Sequence, residues 1–219
     1  MDDQSAQDGY FETRLDHDAK RSVLWATLWD AYFSDLLSGS RCILELGAGW
    51  CDFINMVRAP RRVAVDLWPG FAVHAQPGVE CHVGSVLDLS FIESTSTDAV
   101  FASNLVEHLT RDEFARMLSE CERVLADGGR LVLLQPNYRL CSERYFDDFT
   151  HVSIWSDVSL RDYLQSLGWT IQAIHPRFLP LTVKSRFPVS PRLIRAYLRS
   201  PIKPLAGQML IVAQKPINN

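Results

Sequence analysis

What the chain lacks narrows its class first. No apolar run in its 219 residues approaches the length of about 18 that a bilayer-spanning helix needs, so no such helix is expected. The five cysteines are odd in number and form no C-x-x-C pair, which argues against a disulfide framework or a structural zinc site. Met1 to Asp8 is acidic and polar rather than basic then apolar, so no secretory signal is expected and the chain reads as cytoplasmic. No long stretch is of low complexity. Acid is missing from one end: nothing after Asp162 is Asp or Glu, while Arg177, Lys184, Arg186, Arg192, Arg195, Arg199, Lys203 and Lys215 follow it. The first 162 residues therefore carry 14 Lys and Arg against 26 Asp and Glu, or −12, beneath an overall charge of −4. A basic end on an acidic body suggests a surface for an anionic partner, or simply a solvated face.

One further absence is chemical. Dinucleotide-binding turns read G-x-G-x-x-G. Here Gly47 and Gly49 stand in place, but Asp52 holds the third position and Glu45 precedes the first. Phosphate beside two carboxylates is repelled, so a ligand with a cationic part fits better. What is present around that turn is a strand (41–46), the glycines, and an expected helix whose free N–H groups would point at the ligand. An apolar share of 47% supports one α/β domain, whereas two full domains would be cramped.

The rest of the chain alternates strand and helix. Trp25, Leu28, Trp29, Tyr32, Phe33 and Leu36 recur at helical spacing before Ser38-Gly39-Ser40. Arg62–Asp66 reads as a buried strand with Asp66 at its tip, and Glu80–Gly84 as a third strand. A carboxylate at the tip that Asp66 holds can accept hydrogen bonds from both hydroxyls of an adenosine ribose, and Leu67 and Trp68 can cover an adenine face. Residues 97–104 make a fourth strand; Thr110 and Glu113 form a capping box; Asp127-Gly128-Gly129 ends that helix before a fifth strand, 130–135. Ser156 caps another helix, and strands 169–174 and 208–213 flank a proline-rich excursion holding a short helix after Ser190. In this helix Arg192, Arg195 and Arg199 share one face. Such alternation predicts a doubly wound sheet with ligand at the carboxyl ends of its strands.

The run Glu45-Leu46-Gly47-Ala48-Gly49-Trp50-Cys51 resembles motif I (E-x-G-x-G-x-G) of the class I S-adenosylmethionine (SAM) methyltransferases, departing at the last glycine. Ala102-Ser103-Asn104 with Glu107-His108-Leu109 resembles the fourth motif of small-molecule members. The Asp/Asn-Pro-Pro-aromatic run of nucleobase amino methylation is absent, and no nucleic-acid partner is expected. The resemblance implies a Rossmann-like sheet of seven strands, mostly parallel with the last antiparallel, capped by an N-terminal helix and a late insertion. As one domain, it divides into a helical cap (1–40), a SAM-binding core (41–176), a basic insertion (177–206) and the last strand with its tail (207–219). It implies that SAM is held by Glu45, Gly47, Ala48, Gly49, Asp66, Leu67, Ser85, Val86 and Asn104. Ser85 stands where the family often has an acid, so adenine is expected to rely on Val86 backbone groups and stacking.

Candidate general bases are His151, with Asp147 and Asp148 just upstream, and His108; Asp148 is the carboxylate expected to orient a ring. Asp147, Asp148 and His151 lack a spaced third cluster, so no metal is expected. The whole chain also resembles a bacterial group that accompanies polysaccharide or glycolipid assembly, sharing Q-P-N-Y, Y-F-D-D-F-T-H and R-F-L-P. That resemblance implies O-methylation of a small, anionic, sugar- or lipid-linked acceptor. Tyr10, Arg14, Tyr145, Asp147, Lys184 and Arg186 are the expected acceptor-side residues, the last two as phosphate partners. The arginine helix fits an anionic membrane surface equally well. An N- or carboxyl-methyltransferase of a natural product, or a non-catalytic SAM-binding partner of a glycosyltransferase, are the alternatives.

Overall fold

A computed structural model describes residues 19–180 and 189–216. Seven strands form one sheet: β1 (Cys42–Leu46), β2 (Arg61–Asp66), β3 (Val79–Val83), β4 (Thr97–Ser103), β5 (Leu125–Pro136), β6 (Thr170–Pro180) and β7 (Ala206–Gln214). Their spatial order is β3-β2-β1-β4-β5-β7-β6. The pairs β3–β2, β2–β1, β1–β4 and β4–β5 are parallel, whereas β7 runs antiparallel to both neighbours. The expected sheet is thus the observed one. All five residues of β1 are buried, as a central parallel strand covered on both faces requires.

Helices cover both faces. On one side α1 (Ala19–Leu28) continues through a π-turn (Trp29–Phe33) and a last α-turn (Ser34–Leu36), packing Trp25, Leu28, Trp29 and Phe33 on the sheet. The wide turn carries one extra residue. It therefore rotates the buried stripe, which continues at Phe33 and Leu37 rather than at Tyr32 and Leu36. Phe53 stacks on Phe101 of β4 at 3.7 Å in the same layer. On the opposite face lie α2 (Arg111–Val124) and α4 (Asp157–Ser166), with Phe114, Met117, Leu160 and Leu164 fully buried. The Thr110–Glu113 capping box forms as expected and is worth about 1 kcal/mol. Among the described residues the remaining α-helices are α3 (Tyr138–Tyr145) and α5 (Pro191–Arg199).

Two boundaries differ from the sequence reading. β5 starts at Leu125, straight after α2, and carries Asp127-Gly128-Gly129 as an irregularity between its pairings to Thr97 and Ala99. Gly128 takes φ 75°, the left-handed conformation that lets the strand resume instead of ending. β6 reaches Pro180, so the excursion begins beyond it and is shorter than 177–206. Because β7 is antiparallel, its first residues lie beside the last of β5 and β6: Gln208 faces Pro136, and Ala206 faces Pro180. The excursion therefore leaves and re-enters the sheet at the carboxyl edge of the parallel strands.

Candidate functional site

The glycine turn after β1 folds differently from expectation. Gly47, Gly49 and Cys51 all take positive φ (68°, 48° and 57°), and three left-handed residues in five cannot belong to a right-handed helix. Turns, not an α-helix, occupy 49–56, with a first four-residue bond only from Asn55 N–H to Cys51 O. The departure from the E-x-G-x-G-x-G pattern is thus a departure in residue only, for Cys51 keeps the backbone that a glycine adopts more readily. Its side chain is fully buried. A Cβ on Gly47 would meet Leu105 at 3.1 Å.

Three acids converge beneath this turn, each with a different partner. Glu45 is buried and accepts the Ile54 N–H at 2.9 Å; burial, then Asp52 and Asp66 nearby, push its carboxyl well above the usual range against that bond. Asp52 is bound at 2.7 Å by Arg21 of α1, so the acid at the third glycine position is compensated and ties the helix to the turn. Asp66 accepts Gly49 N–H and Trp68 N–H, one per oxygen, both at 2.8 Å. Burial raises its pKa against these bonds and a further interaction with the Leu67 N–H, and a carboxylate with about four lone pairs still has accepting capacity left. Trp50, Trp68 and His74 cluster at the mouth of this turn, their ring centroids 4.2–5.7 Å apart. Of these only Trp68 was singled out by sequence. Its indole lies where a Cβ on Gly70 would stand (2.5 Å), so that glycine makes room for the ring.

The other expected cofactor residues lie along the same edge. Ala48 is buried and its N–H, with that of Gly47, bonds to Val65 O. Leu67 is 53% exposed. Ser85 accepts Leu87 N–H at 3.2 Å in a local turn, Val86 is buried behind it, and Gly84 N–H holds that turn to Asp66 O. Asn104, exposed at φ 49°, accepts Gln208 Nε2 at 2.7 Å. Gln135 at the end of β5 accepts Leu105 N–H and Val106 N–H, shaping the turn after β4.

That turn delivers a second constellation. Val106–His108 is one 3₁₀ turn, and Glu107 O receives both Val152 N–H and Ser153 N–H from the acceptor-side loop. The pinning brings His151 to His108, with rings 4.9 Å apart. His108 Nδ1 lies 2.9 Å from Thr150 Oγ1 and 3.3 Å from Thr150 O; Thr150 Oγ1 in turn donates to Asp148 at 2.6 Å. A carbonyl only accepts, and the hydroxyl has spent its one proton on Asp148. Nδ1 must therefore carry hydrogen, and Nε2 is the lone-pair nitrogen. Burial first, then His151, lowers the pKa of His108, so its neutral form is favoured. Glu107 was missed by the sequence reading, although an acid inside Leu-Val-Glu-His-Leu was a signal. It is 2% exposed, burial lifts its pKa to about 8, and neither carboxylate oxygen has a hydrogen-bond partner among the described residues.

Tyr145 is buried behind His151 (rings 4.6 Å), and its hydroxyl donates to Ser153 O. Asp147 is exposed on the same loop. Tyr10, Arg14, Lys184 and Arg186 lie outside the described residues. The late positive charges are not uncompensated as expected: Arg195 meets Asp30 of α1 at 3.7 Å, and Lys215 is buried with its Nζ on Leu125 O at 2.7 Å. Lys203 lies over the Phe178 ring at 5.5 Å. Arg177, Arg192 and Arg199 remain exposed. Ile194 and Leu198 of α5 pack on the core while Leu193 stays exposed, so only part of that helix's apolar face is available to anything else. No described helix is long and apolar enough to cross a membrane. A cleft of about 410 Å³ lined by Trp29, Ser40 and Arg58 opens at the opposite edge of the sheet, out of reach of the strand-tip acids.

Residues 44–133 match the model of a family described as a methyltransferase domain. None of the curated proteins matches the chain. Among solved structures, an Archaeoglobus fulgidus SAM-dependent methyltransferase is 20% identical over 98% of this chain and 100% of its own, with a TM-score of 0.65. The 1,6-didemethyltoxoflavin-N1-methyltransferase of Burkholderia thailandensis is 17% identical, covering 98% and 87%, at 0.65. A Streptomyces coelicolor geranyl diphosphate C-methyltransferase is also 17% identical, covering 85% and 76%, at 0.60. At such identities the likeness is one of fold.

Proposed function

We propose that this chain, whose residues 44–133 match a methyltransferase domain, transfers the methyl group of SAM to a hydroxyl oxygen of a small, anionic, sugar- or lipid-linked acceptor. SAM would lie along the carboxyl edge, its ribose on the remaining lone pairs of Asp66 and its base beside Ser85 and Val86. Its methionine end would lie over Gly47 and Gly49 toward Asn104. The observation that carries the oxygen acceptor is the Asp148–Thr150–His108 chain. It holds a lone-pair nitrogen at the end of β4, where a reacting methyl would face the acceptor. A sugar hydroxyl is a poor nucleophile, and a base with a fixed tautomer is what its chemistry needs. His108 Nε2 takes the hydroxyl proton; the oxygen's electron pair forms the new bond to carbon, and the carbon–sulfur pair leaves with sulfur. Most of the remaining barrier falls through alignment of acceptor and methyl group. The exposed Arg177, Arg192 and Arg199, on segments leaving the same edge, suit the charge of a phosphorylated carrier.

The experiment is methyl-labelled SAM offered with lipid-diphosphate-linked and nucleotide-linked sugars. Label that enters the acceptor, survives mild base and is located on oxygen by fragmentation marks an ether and supports the reading. Label lost to mild base marks a carboxyl ester and rejects it, as does label found on nitrogen.

A further inference from the structure

Glu107 poses a problem that methyl transfer alone does not solve. A carboxyl group taken out of water needs a compensating partner, and a buried one without any is costly in either protonation state. Here both oxygens lack a hydrogen bond among the described residues, and the side chain is 2% exposed. It is also not alone: one carboxylate oxygen of Glu107 and one ring nitrogen each of His108 and His151 lie within 4.8 Å of one another. Two imidazoles and one carboxylate at that separation are a donor set for a divalent transition ion.

We propose that Glu107, His108 and His151 bind one divalent transition metal ion, with zinc the ion of first choice, and leave a coordination position open toward the acceptor. The supporting shell is already built. A metal-binding imidazole ordinarily gives its other ring N–H to a carbonyl or carboxylate, which fixes ring and tautomer. His108 does so through Nδ1 to Thr150, with Asp148 behind the hydroxyl, and this turns Nε2 to the ion. Glu107 is anchored through its own carbonyl to Val152 and Ser153, so the two sides of the site are fixed to each other without the ion. Sequence spacing offered no further ligand cluster to join Asp147, Asp148 and His151; Glu107 and His108 come from the turn after β4, some 40 residues upstream of His151.

Binding of the ion is independent of the methyl-transfer reading; its use rests on that reading. A hydroxyl entering the open position would be acidified by the ion and release its proton to solvent water. Its oxygen then attacks the methyl carbon, and the ion replaces His108 as the means of activating it.

The test is zinc binding by metal-stripped full-length protein, measured by competition with a chromophoric chelator, with SAM binding measured in parallel. The wild type should take up one ion, with Glu107→Gln and His151→Asn each lowering affinity at least about 100-fold and Thr150→Val about 10-fold. Thermal melting of the stripped proteins checks folding: Glu107→Gln should melt close to wild type, because it replaces a buried carboxyl group with no hydrogen-bond partner among the described residues by a neutral amide of the same shape. Cobalt should give visible bands without the intense near-ultraviolet absorption of a thiolate ligand. No saturable uptake, equal affinity in the wild type and Glu107→Gln, or a thiolate spectrum overturns the site. In those cases retained SAM binding leaves the methyl-transfer reading, with His108 as base, intact. Zinc uptake with no SAM binding would instead reject that reading and keep the metal site.

Discussion

His108 Nδ1 lies 2.9 Å from the hydroxyl oxygen of Thr150, and that hydroxyl has already given its proton to Asp148. The relationship decides which nitrogen of the ring carries the proton and which keeps a lone pair. Long-range proton–nitrogen NMR on histidine-labelled protein should find His108 in the Nδ1–H form. Thr150→Val, which keeps the shape and removes the nearer of the two acceptors while leaving the residue's own carbonyl at 3.3 Å, should shift part of the population to the Nε2–H form common in free imidazole. A wild-type ring protonated at Nε2 would refute the chain.

Asp66 should matter twice. It satisfies Gly49 N–H and Trp68 N–H, so Asp66→Ala strands two largely buried donors at a cost of about 1–3 kcal/mol. For a chain of this size each 1 kcal/mol lowers Tm by about 2–4 °C. If the same oxygens also hold the ribose, calorimetry should show SAM affinity falling at least about tenfold. Unchanged affinity with a lowered Tm would assign Asp66 to the loop alone.

Cys51 occupies a left-handed position that costs a residue with a side chain about 1–2 kcal/mol. Cys51→Gly relieves that strain while losing a small buried group, and should melt within a few degrees of wild type. Cys51→Val, β-branched at positive φ, should lose about 2–3 kcal/mol and weaken SAM binding with it. Denaturant midpoints that rank the valine variant above the glycine variant would contradict the backbone geometry.

His175 predicts an acid-sensitive fold. Its Nε2 pairs with the Tyr32 hydroxyl at 2.8 Å, and burial, then Lys203, depresses its pKa below 6.5. The folded state therefore favours the neutral ring: its contribution is full above 6.5 and is lost as pH falls through the depressed folded value. His175→Gln keeps an acceptor for Tyr32 without a titrating group. The gap between the two melting temperatures should move in favour of the variant by up to a few °C as pH drops below 6.5. A gap constant with pH would show the shift to be absent.

The sheet was legible because its signals are local. Apolar runs ending in Glu45 and Asp66, the Thr110 box and the Ser156 cap are read residue by residue, and each stands where expected. What escaped depends on long-range contact. A cysteine's letter does not disclose φ 57°, so the turn after β1 read as a helix. Arg21–Asp52 and Arg195–Asp30 join residues 31 and 165 positions apart, so Asp52 read as a bare acid and the stretch after Asp162 as bare positive charge. Glu107 escaped for the same reason: its burial is made by the loop at 152–153, which no spacing rule connects to it.

The placement of β7 between β5 and β6 also governs how the chain acquires its form. On a ribosome, β6 emerges with no neighbour to receive its edge, and the strand destined to separate it from β5 is made about 25 residues later. Until then the two exposed edges can pair with each other or with another nascent chain. The basic excursion is thus also a delay line, and its length sets how long those edges stand open.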